Sequence, residues 1–208
     1  MKYGHPINFL IYQILKIFCR IDDTAVSILP VHGPLIVATN HVNFLEMPVL
    51  YLYLKPRQLT GVAKMENWKN PLIRYLAHIW KAIPIRRYSV DSTAFKKAIR
   101  ALEGGCFLGL APEGTRSHDG RLGPASAGVI VIAAVSGVPV VPVVHIGGEN
   151  LWRNIIKLKR TKVALRVGDQ MHFTREHIST RRSRAEALDR LMHSLADLLP
   201  REKRGHYV

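Results

Sequence analysis

Short apolar runs rich in Val, Ile and Leu alternate with helical patterns along the chain, and this alternation limits the possible folds more than any other feature. It is the pattern of α/β proteins. The 208 residues are enough for one domain with a substantial core. We therefore predict a single-domain α/β fold, with a mostly parallel central sheet flanked by helices and preceded by an N-terminal amphipathic helix. The predicted strands cover residues 26–31, 35–39, 59–63, 83–86, 106–111, 138–146 and 163–167.

Two helices have clear signals in the sequence. The first is predicted to begin at Asp91 or Ser92, either of which can cap a helix, and to end at Gly104 and Gly105. Its apolar face consists of Phe95, Ile99 and Leu102. The second carries leucines at spacings of three and four and is expected to pack against the domain core. These are Leu188, Leu191, Leu195 and Leu198.

An apolar run near the N-terminus covers residues 7–17 and is interrupted by Asn8, Gln13 and Lys16. It is shorter than the about 20 apolar residues that a membrane-spanning helix needs. The Cys-Arg-Ile-Asp-Asp segment that follows does not resemble the small-residue cleavage site of a signal peptide. Two interpretations remain, a helix in the membrane interface and a helix packed against the domain. We favour the first and assign residues 1–22 to an N-terminal membrane-associating helix.

Basic residues are in excess, with 30 Lys and Arg against 15 Asp and Glu and a formal net charge of +15. This excess favours an anionic partner, which is nucleic acid, the negatively charged face of a membrane or a phosphorylated substrate. The basic cluster at residues 181–184 is accompanied by no aromatic-rich strand or recognition-helix motif, so nucleic acid is not a predicted partner. Cys19 and Cys106 lack Cys-x-x-Cys spacing, which argues against a disulfide framework and fits a reducing cytoplasmic setting.

His41 follows the second predicted strand directly, and Glu46 comes five positions later. Ligands of open α/β folds usually bind beyond the carboxyl ends of the strands. If the intervening residues turn, the Glu46 carboxylate can accept one ring N–H and leave the other nitrogen free to take a proton from a substrate hydroxyl. Such a pair is also common as a purely structural contact, so this segment alone does not establish a general base.

The fifth predicted strand runs into Pro112-Glu113-Gly114-Thr115-Arg116-Ser117. Backbone N–H groups, a Thr hydroxyl and a guanidinium suit a phosphate group, since Arg can donate to two oxygens at once. The P-loop pattern and Gly-x-Gly-x-x-Gly are both absent from the sequence. The alternative interpretation is a surface turn with a solvated arginine. Arg86 and Arg87 end the fourth predicted strand and would face the same anion if the two strands are adjacent.

In their order along the chain, these segments resemble the four blocks of the glycerolipid acyltransferases of the phosphatidic-acid-forming type, the lysophosphatidic acid acyltransferase superfamily. The resemblance spans about residues 35–145. The Pro-Glu-Gly-Thr-Arg-Ser block is highly specific when an apolar strand precedes it and Gly-Val-Pro-Val-Val-Pro-Val follows. The matching segments are residues 40–46, 83–87, 112–117 and 138–143.

The resemblance implies an enzyme of the 1-acylglycerol-3-phosphate O-acyltransferase type. It would move a fatty acyl group from acyl-CoA or acyl carrier protein directly to the hydroxyl of a lysophosphatidic acid-like glycerolipid and form phosphatidic acid. His41 would be the general base, and Glu46 would orient its imidazole and stabilise its charge. No cofactor and no metal are expected. The residues expected to position the glycerol phosphate are Arg87, Glu113, Gly114, Thr115 and Arg116.

Residues 23–208 would then form the acyltransferase domain, held peripherally at the cytoplasmic face of the cell membrane through anionic lipid. Two alternatives stay open, another lysophospholipid or glycolipid acceptor and an inactive lipid-binding homologue. The sequence departs from the family at Glu46, where the family has Asp, and one extra methylene moves the carboxylate by about 1.5 Å. It also departs at Lys81, where the family favours Gly, and near Ser126, where it usually has Lys.

Overall fold

The computed structural model describes residues 5–86, 91–117 and 119–208, in which a seven-stranded sheet lies between two layers of helices. The strands are β1 (Cys19–Asp22), β2 (Leu35–Ala38), β3 (Leu59–Lys64), β4 (Ile83–Ile85), β5 (Phe107–Leu110), β6 (Val140–Ile146) and β7 (Thr161–Val167). Their order in the sheet is β1-β7-β6-β2-β5-β3-β4. All neighbouring pairs are parallel except β6 with β7. The predicted fold class is confirmed.

Helices cover both faces of the sheet. Those of the described residues are α1 (Pro6–Phe18), α2 (Glu46–Tyr53), α3 (Pro71–Ile79), α4 (Ser92–Glu103), α5 (Gly128–Ser136), α6 (Leu151–Ile156) and α7 (Arg181–Asp197). α1, α2, α3 and α6 pack on one face, and α4, α5 and α7 pack on the other. Because successive side chains of a strand point to opposite faces, Val37 joins the first core and Ile36 the second. A central parallel strand is therefore apolar throughout.

The two helices with clear sequence signals form as predicted. Asp91 caps α4 by accepting a hydrogen bond of 2.9 Å from the backbone N–H of Ala94, and Gly104 ends the helix. α7 buries Leu191 and Leu195 against the domain.

α1 has features of both interpretations offered for the N-terminal run. Its Leu15 is buried in the core, and the side-chain oxygen of its buried Asn8 accepts a 3.0 Å hydrogen bond from the indole N–H of Trp80. Other apolar side chains of α1 are exposed, among them Leu10 and Ile17. The helix therefore packs on the domain with one side and presents an apolar surface on another. No helix in the described ranges is long and apolar enough to cross a bilayer.

The strand predicted at residues 26–31 is wrong, because Thr24–Ile28 form a 3-10 helix. Val26 and Leu29 are three residues apart, which is the period of such a helix, and both are buried. Arg57 donates hydrogen bonds to the backbone carbonyls of Val26, Leu29 and Pro30. These carbonyls are thus satisfied without a neighbouring strand.

The first strand of the sheet is instead β1, which lies in the segment assigned to the N-terminal helix. It pairs with β7 at one edge of the sheet. The helical part of that segment consequently ends at Phe18 rather than at residue 22. Four residues with two charges among them give too short an alternation to be recognised as a strand.

Candidate active site

Polar segments that follow several strands meet at the carboxyl ends of the central strands. β2 is parallel to both of its neighbours, β5 and β6, so the carboxyl ends of these strands lie together. His41 follows β2, the loop 111–117 follows β5, and His145 is near the end of β6. The fold therefore brings the two most informative motifs of the sequence to the same place, as expected for ligand sites in parallel sheets.

His41 and Glu46 form the predicted pair. The Nδ1 atom of His41 lies 3.0 Å from Oε2 of Glu46. The Glu46 side chain is 2% exposed and that of His41 is 27% exposed, so the carboxylate is protected while the imidazole remains accessible. An ionised carboxylate only accepts hydrogen bonds, which assigns the ring proton to Nδ1 and leaves the lone pair on Nε2. This tautomer is the one that a general base needs.

Glu46 also holds the loop that carries His41. Its Oε1 atom accepts hydrogen bonds from the backbone N–H groups of Val42, at 2.9 Å, and Asn43, at 2.6 Å. Glu46 is the first residue of α2, where a negative charge interacts favourably with the helix dipole. The carboxylate thus joins three groups of one short loop, and a Glu side chain has the reach to do so here.

Glu113 is a second buried carboxylate, and it contacts the backbone. Its Oε1 accepts from the N–H of His41 and its Oε2 from the N–H of Gly123, both at 2.8 Å. Burial raises the pKa of Glu113, while these two hydrogen bonds act in the opposite direction. Since both oxygens are engaged by the protein, the geometry favours a role in positioning His41 over the predicted contact with a glycerol phosphate.

The other predicted phosphate-binding residues are on the surface of the same loop. Gly114 has φ +62, in the left-handed region that favours glycine, and Thr115 and Arg116 are exposed. The N–H of the next residue, Ser117, donates a 2.7 Å hydrogen bond to the carbonyl of His41. This hydrogen bond links the loop directly to His41.

The sequence predicts that Arg86 and Arg87, after β4, face the same anion as this loop if the two strands are adjacent. β3 lies between β4 and β5, so the strands are not neighbours. The backbone N–H of Arg86 donates to Asp91 Oδ2 at 3.0 Å, so Arg86 contacts the residue that caps α4. Arg87 lies outside the described residues.

Two asparagines that the sequence analysis did not single out fasten the His41 loop to the end of β6. Asn40 donates to the carbonyl of His145 at 3.0 Å and accepts from its N–H at 2.8 Å. Asn43 donates to the carbonyl of Gly148 at 2.6 Å and accepts from the N–H of Leu45 at 2.8 Å. A side-chain amide both donates and accepts hydrogen bonds. The two asparagines on either side of His41 were therefore the feature of the sequence that could have indicated these contacts.

His145 is buried beneath this loop. Burial lowers the pKa of His145, and within the described part of the chain neither of its ring nitrogens has a hydrogen-bond partner. Its ring packs so closely on Gly148 that a Cβ atom there would clash with it. Glycine is therefore required at the turn that Asn43 holds.

Comparisons with known proteins agree with these features. A family model described as Acyltransferase matches residues 20–146. The chain is 32% identical over 151 residues to the chloroplastic 1-acyl-sn-glycerol-3-phosphate acyltransferase BAT2 of Brassica napus. The aligned residues cover 70% of this chain and 43% of that protein. It is 26% identical over 147 residues to a 1-acyl-sn-glycerol-3-phosphate acyltransferase of Bacillus subtilis, covering 69% of this chain and 70% of that protein.

The fold is similar to that of the 1-acyl-sn-glycerophosphate (LPA) acyltransferase PlsC from Thermotoga maritima, with a TM-score of 0.66 and 22% sequence identity. The similarity covers 92% of this chain and 78% of that protein. The chain spans about half the length of the plant relatives that it matches.

Proposed function

Because the chain belongs to the acyltransferase family, we propose that it transfers a fatty acyl group from an acyl thioester to the free hydroxyl of a lysophosphatidic acid-like glycerolipid and forms phosphatidic acid. The observation that carries the proposal is the His41–Glu46 pair at 3.0 Å, at the carboxyl end of a central strand. This pair supplies a base for a hydroxyl group. The names of the similar proteins support the choice of acceptor.

In the proposed reaction, Nε2 of His41 takes the proton of the acceptor hydroxyl while the oxygen attacks the thioester carbonyl. A carbon–oxygen bond forms, the carbon–sulfur bond breaks, and the thiol leaves with the proton that His41 returns. Glu46 stabilises the imidazolium during the transfer. Such general base catalysis contributes about 10² to 10⁴ in rate. No covalent acyl-enzyme takes part.

Thr115 and Arg116 would hold the acceptor phosphate, since both are exposed on the loop that is hydrogen-bonded to His41. Arg116→Lys should raise the acceptor KM and leave the donor KM nearly unchanged, because Lys keeps the charge and loses the bidentate geometry. Arg121→Lys, at another exposed arginine, is the matched control. A rise in the donor KM alone would assign the loop to the phosphates of the donor instead.

Thiol release from acyl-CoA, measured with and without lysophosphatidic acid, tests the reaction. Release should require the acceptor, phosphatidic acid should appear in equal amount, and His41→Ala should lose nearly all of both. Acyl carrier protein as donor, and other lysophospholipids or glycolipids as acceptors, belong in the same screen. Acceptor-independent thiol release would indicate a hydrolase, and no release with any acceptor would favour an inactive lipid-binding homologue.

We also propose that the protein acts peripherally at the cytoplasmic face of the cell membrane, with the exposed side of α1 in the interface. Removing residues 1–20 is not a clean test, because Asn8 and Leu15 belong to the packed part of the helix. Leu10→Ser with Ile17→Ser removes exposed apolar surface only. The double variant should float less well with anionic vesicles at high salt, where electrostatic attraction is screened. Unchanged flotation would show that α1 is a core element alone.

A further inference from the structure

The segment 151–160 carries large apolar side chains that are not buried by the described residues. Leu151 belongs to the core, whereas Trp152 is 63%, Ile156 83% and Leu158 96% exposed. Leu158 also has φ +52, a conformation that costs free energy for a residue with a branched side chain. A strained backbone that presents a leucine to solvent is not explained by packing within the domain.

This segment lies between the active site and the end of α1. β7 is antiparallel to β6 and parallel to β1. Thr161 and Cys19, the first residues of β7 and β1, therefore lie on the side of the sheet where β6 ends. At one end of the segment, Trp152 contacts the exposed ring of Phe44, in the loop between His41 and Glu46, with ring centroids 5.7 Å apart. At the other end, Arg160 donates to the carbonyl of Cys19 at 2.6 Å, directly after α1.

The charges of the segment complement an anionic surface. From residue 151 to residue 168 the sequence has six basic residues and no Asp or Glu. Arg153, Lys157 and Lys159 are exposed beside the apolar side chains. Tryptophan, aliphatic residues and Lys or Arg on one short element are typical of segments that lie in the membrane interface.

We propose that residues 152–160 form a second membrane contact, in which Trp152, Ile156 and Leu158 enter the interface of an anionic phospholipid bilayer. Together with the exposed end of α1, this contact places the His41–Glu46 pair at the bilayer surface. A lipid acceptor then reaches the pair from the bilayer without crossing water. The use of the contact in catalysis rests on the proposed function, whereas the binding to the bilayer does not.

Flotation of the full chain with vesicles of phosphatidylcholine, with and without phosphatidylglycerol, tests the contact. Ile156→Ser combined with Leu158→Ser should lower the partition coefficient at least about tenfold, which corresponds to about 1.4 kcal/mol, because each substitution removes a large aliphatic side chain from the apolar part of the interface. Ile28→Ser is the matched control, because Ile28 is 69% exposed and lies in the 3-10 helix after β1. Since β1 begins on the side where β6 ends, this helix follows β1 on the opposite side of the sheet, away from segment 152–160. It should bind like the parent protein.

Fluorescence measures the depth of insertion independently. Of the three tryptophans, Trp152 is exposed, Trp68 is half-buried and Trp80 is buried. Brominated phosphatidylcholine in anionic vesicles should quench the emission of the parent protein, and Trp152→Phe should remove most of this quenching. An equal quench in Trp152→Phe would overturn the inserted position.

Acyl transfer to a short-chain, water-soluble lysophosphatidic acid separates the contact from the chemistry. The Ile156→Ser, Leu158→Ser variant should retain its turnover on this acceptor and lose turnover on vesicle-bound acceptor. Vesicle binding that depends on these residues, in a protein without any acyl transfer, would refute the proposed function and leave the contact standing. Parent-like vesicle binding by the double variant would overturn the contact. The contact would also be overturned if these residues were needed to bind an acidic carrier protein and were not needed to bind vesicles.

Discussion

Replacing Glu46 by Gln and by Asp should separate the two roles that the structure gives this carboxylate. One oxygen faces Nδ1 of His41 and the other accepts two backbone N–H groups of the loop. Gln keeps the length and one oxygen, so it can retain the two backbone hydrogen bonds. Its NH₂ group then donates to Nδ1, which shifts the ring proton to Nε2 and removes the base. Asp keeps the charge and loses about 1.5 Å of reach.

The expected magnitudes are different for the two variants. Glu46→Gln should lower kcat by about 10² to 10⁴, the contribution of a general base, and lower the free energy of unfolding by only about 1 kcal/mol, for the charge at the start of α2. Glu46→Asp should retain more of kcat. It should lose up to about 2 to 6 kcal/mol of stability, because the N–H groups of Val42 and Asn43 lose their partner and each buried N–H left without a partner costs about 1 to 3 kcal/mol.

Steady-state kinetics and thermal unfolding on the same preparations measure both effects. For a domain of this size, a loss of 1 kcal/mol lowers Tm by about 2 to 4 °C. Glu186→Gln, on an exposed part of α7, is the matched control and should change neither quantity. If Gln supports a higher kcat than Asp, or if Asp is the more stable of the two, the assigned roles of the two oxygens are wrong.

Three further predictions concern the same edge of the sheet. His41→Ala should lower turnover by about 10² to 10⁴ with little change in Tm, as measured by thiol release and circular dichroism. Glu113→Ala should lower stability by up to about 2 to 6 kcal/mol and reduce kcat rather than raise the acceptor KM, because it leaves the half-buried N–H groups of His41 and Gly123 unpaired. Glu113→Gln should be milder, since burial already raises the pKa of Glu113 and penalises its charge; a raised acceptor KM alone would restore the substrate-binding role. Burial lowers the pKa of His145 from its ordinary 6.5, so stability should be full above that pH and fall as the pH drops below it, and His145→Phe should show less of this fall in thermal unfolding at about pH 7 to 5.

Most of the sheet was predictable from the sequence because its strands are buried on both faces. β2, β5 and β6 read as continuous apolar runs, which is the pattern that parallel packing demands. The error at residues 26–31 has a physical cause that no local pattern contains. Val26 and Leu29 are as apolar as strand residues, and the guanidinium of Arg57, 28 positions beyond Leu29, binds their carbonyls.

The candidate site was predictable in its residue types and less so in their roles. His41 and Glu46 are close in sequence, so a single turn brings them together and the motif alone indicated the pair. Glu113 is 72 positions from His41, and its contact with the His41 N–H arises from the adjacency of β2 and β5. Its position beside Thr115 and Arg116 in the sequence predicts a role in phosphate binding. The sequence could not show that its oxygens turn inward to the backbone.

Hydrogen bonds to side chains hold most of the backbone N–H groups of the loop that presents His41. The N–H groups of His41, Val42 and Asn43 all donate to carboxylates, one to Glu113 and two to Glu46. This loop has no regular secondary structure, so its shape depends on two buried carboxyl groups, one at the start of α2 and one in the loop after β5. The same hydrogen bonds make the position of His41 depend on the correct packing of β2 against β5, and the neighbouring hydrogen bonds of Asn40 extend that dependence to β6.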